Sequence, residues 1–83
     1  MENGDLWRSK DFYLCSVVRA SGASLLNLET GMGNFVIFVF NISQQEAEKI
    51  LSMHWSRELR VPTRDLVEAI NELRTRLKGV SSH

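Results

Sequence analysis

Hydrophobic positions in this chain pass from a helical rhythm to an alternating one and back to helical. Over 9–21, Leu14, Val17 and Val18 share one helical face, with Phe12 and Cys15 beside them. That sector is wide, as in a helix packed on more than one neighbour. Ser9 is the expected N-cap, Asp11 falls in the first turn, and Gly22 follows as the left-handed residue beyond the end. Residues 1–8 read as a flexible arm.

Over 24–30 the period becomes two. Leu26 and Leu28 alternate with Asn27 and Glu29, predicting a strand with one wet face. The stretch Thr30-Gly31-Met32-Gly33-Asn34 reads as a hairpin turn, with Met32 at its tip as a contact. The second strand, 34–41, carries Phe35, Val36, Ile37, Phe38, Val39 and Phe40 without interruption, so both of its faces are apolar. A helix over 43–56 is announced by a capping box, Ser43 with Glu46, and by Ile42 and Ala47 as a hydrophobic staple. Its buried stripe is Ala47, Ile50, Leu51 and His54, with Met53 and Trp55 at the margins. Pro62 opens a last helix over 62–78, striped by Leu66, Ile70, Leu73 and Leu77 and widened by Val67 and Ala69. Glu72 and Arg76 are spaced to pair on it. Gly79 is the expected stop, and 79–83 a frayed tail.

The predicted order is α-β-β-α-α in one α+β domain: an antiparallel hairpin packed against three helices. A lone hairpin is marginal and has two open edges. Three short helices would cover one face well and the other in part. The economical completion is a homodimer, with Phe35, Val36, Ile37, Phe38, Val39 and Phe40 as interface candidates.

Composition narrows the function. The chain has 83 residues, 43% hydrophobic and 24% charged, with zero formal net charge. Zero net charge argues against a partner held mainly by electrostatics, such as duplex DNA or an anionic membrane. One cysteine excludes an internal disulfide and fits a reducing interior. The N-terminus shows no signal-peptide pattern, no apolar run is long enough to span a bilayer, and we expect a cytoplasmic protein.

Candidate chemistry is sparse. Cys15 lies mid-helix among apolar residues and reads as a small core filler rather than a nucleophile. His54 reads as a core-margin residue; with Cys15 and His83 it makes too small a soft-ligand set for zinc. Gly31-Met32-Gly33 lacks the Lys-Ser/Thr of a phosphate loop. No serine has a His and an Asp placed to serve it. Trp55, Arg57, Arg60 and Arg64 form the best binding candidate, because an aromatic with arginines can hold phosphate or stack a base. Arg74 and Lys78 could extend it. Glu58 and Asp65 lie among these arginines, so a solvated, self-paired face is the competing reading.

The run Asp11-Phe12-Tyr13-Leu14-Cys15, the hairpin Leu25 to Phe40, and Val61-Pro62 with Leu66, Ala69-Ile70, Leu73-Arg74 and Leu77-Lys78 resemble a family of small prokaryotic proteins. That family is catalogued as a domain of unknown function. The resemblance implies a stand-alone α-β-β-α-α unit and brings no active-site residues with it. We expect a non-catalytic, homodimeric interaction or assembly module, with no metal or cofactor and no membrane. The alternative is a nucleic-acid-binding accessory protein using the arginine cluster.

Overall fold

A computed structural model describes residues 6–30 and 35–81. The elements are β1 (Leu6–Ser9), α1 (Phe12–Ala20), β2 (Leu25–Thr30), β3 (Val36–Ser43), α2 (Gln44–Trp55) and α3 (Thr63–Ser81). The class is α+β, as expected, but the sheet has three antiparallel strands in the order β1-β3-β2. The apolar second strand is therefore central, and neither of its edges is open.

The added strand corrects the expectation of an arm over 1–8 for residues 6–8. Trp7, Arg8 and Ser9 register against Phe40, Val39 and Phe38. Trp7 is buried, with its ring centroid 5.5 Å from that of Phe40. A four-residue strand with a single large anchor carries too little periodicity to be seen in sequence. Ser9 consequently ends β1 rather than capping α1. Its hydroxyl accepts the Asp11 N–H at 3.1 Å, and the Asp11 carboxylate caps α1 by accepting the Leu14 N–H at 3.0 Å. Pairing with β1 also carries β3 on to Ser43.

Ser43 then caps α2 as expected, accepting the Glu46 N–H at 3.1 Å, so strand passes into helix without a loop. The Pro62 carbonyl accepts the Leu66 N–H at 3.2 Å, which places Pro62 just ahead of α3. Gly79 does not stop α3, which continues to Ser81. A glycine near an exposed helix end costs about 1 kcal/mol, and no left-handed turn is required of it there. Glu72 pairs not with Arg76 but with Arg19 of α1, at 3.0 Å. The expected turn at Gly31-Met32-Gly33 and the residues Met1 to Asp5, Ser82 and His83 lie outside the described residues.

The core lies on one face of the sheet. Phe38 and Phe40, 2% and 0% exposed, meet Trp7, Cys15 and Val18, Ala47 and Leu73. The Phe12 ring stands edge-on to Phe38 at 6.4 Å. The opposite face is covered by long side chains. Val39, opposite Arg8 and Asn27, is only 2% exposed. Arg8 of β1 and Glu29 of β2 join at 3.5 Å, closing an ion pair across the central strand. Lys10 sets its ammonium 4.7 Å from the centroid of the Phe35 ring. Such side chains bury their alkyl stems on apolar surface while their charged heads stay wet.

The interface candidates are corrected accordingly. Phe38, Val39 and Phe40 are interior residues, Val36 and Ile37 are half-buried, and Phe35 alone is exposed. The strand that suggested a dimer is thus covered within one chain from Phe38 to Phe40 and in part accessible from Phe35 to Ile37. No helix is long and apolar enough to cross a membrane, among the described residues.

Candidate functional site

Helix α1 divides its apolar residues between two jobs. Cys15 and Val18 face the sheet, while Tyr13, Leu14 and Val17 line a groove on the helical side. Helix α3 runs beside α1 in the opposite direction. Arg74 stands over the Phe12 ring at 5.8 Å, and Glu72 holds Arg19 further along. Helix α2 is anchored to the sheet through Ala47. The C-terminal end of α2 and the middle of α3 therefore stand apart, with α1 as the floor between them.

The result is a half-open apolar groove of about 290 Å³. Leu14 and Val17 form its floor, His54 and Trp55 one wall, Leu66 and Ile70 the other, and Tyr13 and Asp11 close one end. A second depression of about 160 Å³ adjoins it beneath the connector between α2 and α3. The two share Val17, His54 and Leu66, and the second adds Leu59 and Val61. Tyr13 and Trp55, each 68% exposed, are the most exposed large apolar side chains described, and both line this groove. Val67, next to Leu66, is also exposed.

Local structure explains the position of Trp55. It is the last residue of α2, followed by Ser56 as C-cap and Arg57 at φ +68°. The Glu58 N–H reaches the Met53 carbonyl at 2.9 Å and the Arg57 N–H that of His54 at 3.1 Å. This is the Schellman arrangement, in which the left-handed residue is usually glycine. Helix α1 ends the same way with Gly22 at φ +115°. The His54 ring lies 4.9 Å from that of Trp55 and narrows the groove wall.

The predicted arginine cluster is only partly assembled. Trp55, Arg57 and Arg60 are exposed at the end of α2 and on the connector. Arg64 instead pairs along its own helix with Glu68 at 3.1 Å. The sequence reading missed the groove because Leu14, Val17, Leu66 and Ile70 look like ordinary core positions. The available signal was the width of the apolar sector on α1, which asks for a second neighbour.

The two candidate nucleophiles of α1 are engaged within the fold. Cys15 is fully buried on the sheet side, and burial pushes its thiol up from the ordinary 9.0 to about 12. Its Sγ–H donates weakly to the Ser9 carbonyl at 3.6 Å; a hydrogen bond with the Ser9 side chain opposes the shift, while the Asp11 carboxylate adds to it. The buried Ser16 hydroxyl donates to the Phe12 carbonyl at 3.0 Å and is thereby occupied. Among the described residues, no three His, Cys, Asp or Glu side chains converge on a metal position.

Other concavities lie elsewhere among the described residues. One, at the far side of α3, is polar, and its Arg19 and Glu72 are bonded to each other. Another is a shallow dish on the outer sheet face, formed by Arg8, Ser9, Lys10, Phe35 and Ile37. Compared with known proteins, the chain matches no family model, no curated protein and no solved structure.

Proposed function

We propose that this protein is a non-catalytic interaction module that binds a protein partner through the groove between α1, α2 and α3. One observation carries the reading: its two most exposed aromatic side chains, Tyr13 and Trp55, line the same apolar groove. Tryptophan is highly buried on average, and Trp, Tyr and Arg dominate the binding energy of interfaces. The groove sits at the lower size limit of small-molecule sites and is half open, which favours a few side chains of a macromolecule over an enclosed ligand. The buried, protonated thiol of Cys15 supports a binding role over a catalytic one.

Panning a displayed peptide library on the full chain tests this. Binders should be lost on Trp55→Ser or Tyr13→Ser while circular dichroism stays unchanged. Binders that ignore both changes but are lost on Arg8→Ala or Phe35→Ala would move the site to the outer sheet face and overturn the reading. A homodimer becomes one version of this proposal, with a second copy seated in the groove. Sedimentation should then show a dimer that Trp55→Ser dissociates.

The exposed trio of Trp55, Arg57 and Arg60 supports a second reading, binding of single-stranded nucleic acid. It requires oligonucleotide affinity that falls steeply with salt and drops on Arg57→Ala plus Arg60→Ala.

A further inference from the structure

We infer that the occupant of the groove is an amphipathic α-helix of a partner protein, lying along α1 with an acidic C-terminal turn towards Arg57 and Arg60. This rests on the groove reading above and adds the partner's shape and charge.

The shape follows from the two depressions. They lie side by side and share Val17, His54 and Leu66 as common walls. Two adjoining sockets suit two apolar side chains at neighbouring positions on one helical face, about 5–6 Å apart at i and i+3 or i+4. Asp11 to Val17 of the floor spans about 9 Å of α1, and the connector depression lengthens it, so a helix of about three turns fills the groove. The described lining residues belong to the helices, the Asp11 cap and the connector, and none to a strand. An extended peptide would gain no strand pairing here, whereas a helix brings its backbone already bonded.

The charge follows from the connector. Asp11 lies at one end of the groove, with its carboxylate already held by the Leu14 N–H as the cap of α1. At the other, Arg60 lies between Leu59 and Val61, both of which line the second depression. Arg57 precedes them on the same connector. Neither arginine makes an ion pair among the described residues. Glu58 between them accepts the Ser56 hydroxyl at 3.1 Å and keeps its charge, leaving the connector with one net positive charge, and Arg64 is paired with Glu68. Two guanidiniums are thus left to meet the negative end of a docked helix and any carboxylates in its last turn.

The backbone gives an independent reason to look at Arg57. It occupies the left-handed position that α1 gives to Gly22. An L side chain is strained there, and such strain gathers at binding sites. Keeping an arginine in glycine's place puts a charge two residues beyond Trp55, at some loss of stability.

The test uses peptides of about four turns selected on the full chain, then synthesised with capped ends in three forms: with Glu in the last turn, with Lys there instead, and with a central proline. The Glu-ended form should bind about three- to tenfold more tightly than the Lys-ended form at low salt, and the gap should narrow as salt rises. Arg57→Glu plus Arg60→Glu should invert that preference. The proline form should lose binding. If groove binders, recognised by their loss on Trp55→Ser, show no preference for the acidic end, or tolerate the proline, this inference falls and the groove reading stands. If no selected peptide depends on Trp55 or Tyr13, both fall.

Discussion

The central strand and the helical groove are the two apolar regions of this molecule, and they reverse each other. β3 concentrates its apolar residues in one uninterrupted run, yet Phe38, Val39 and Phe40 are interior. The groove draws single residues from three helices, yet it leaves Tyr13 and Trp55 mostly in solvent. Dense apolar sequence marks where the chain's own elements converge. A strand flanked by two others and backed by helices can hide both faces, even when one cover is only an ion pair such as Arg8–Glu29. A groove arises where helices diverge, and its residues look like core because each lies on a helix that is mostly core.

The contrast is broken or sharpened first at Phe40. Phe40→Ala should cost about 3–5 kcal/mol, since the ring is fully enclosed against Trp7, and urea unfolding reads it. A cost under about 1 kcal/mol, within surface range, would mean that β3 is not the covered region.

Cys15 probes the same enclosure by pH. Its folded pKa lies above the unfolded value, so the folded state holds the proton more tightly. The contribution is complete below pH 9.0 and is lost as pH climbs towards about 12. Stability should fall by as much as about 1.4 kcal/mol per pH unit over that range, and Cys15→Ala should flatten the slope. A thiol reagent should label native Cys15 only as fast as the protein opens.

Arg8→Ala removes the outer cover. The ion pair alone is worth no more than about 1 kcal/mol, being half exposed, so a modest fall in Tm is expected together with dye binding at the bared Val39 and Ile37. Arg57→Gly should go the other way. Relieving a left-handed L residue, offset by the greater freedom of glycine when unfolded, should stabilise the fold by about 0.5 kcal/mol. The smallest effect belongs to Trp55→Ser, within about 0.5 kcal/mol of neutral. A large loss there would show Trp55 to be core and close the groove as a site.

Legibility followed range. The Ser43 cap and the Gly22 terminus were readable because each depends on residues a few positions apart. The alternation expected of β2 did not hold: a register shift between Leu25 and Asn27 turns Leu25, with Leu28, to the core and leaves Leu26 exposed. The Glu72–Arg76 pairing failed although the spacing was right, because Arg19 from another helix competes for the same carboxylate. Half of the binding candidate was legible: Trp55, Arg57 and Arg60 stood out by type. Tyr13 did not, since its place beside Trp55 exists only in three dimensions.

By itself the sequence determined three helices, two of the three strands, the Ser43 cap and the Gly22 terminus. Those features arise from backbone geometry and side chains within one or two turns. Only the tertiary structure decided that Leu6–Ser9 becomes a strand, that β3 lies in the middle, and that α2 and α3 part over α1. β1 has no stability of its own, and it exists because β3 offers an edge and Phe40 offers a ring to Trp7. That one long-range pairing turns much of the expected open surface into core and leaves Tyr13 and Trp55, on the helical side, as the most exposed large apolar side chains described.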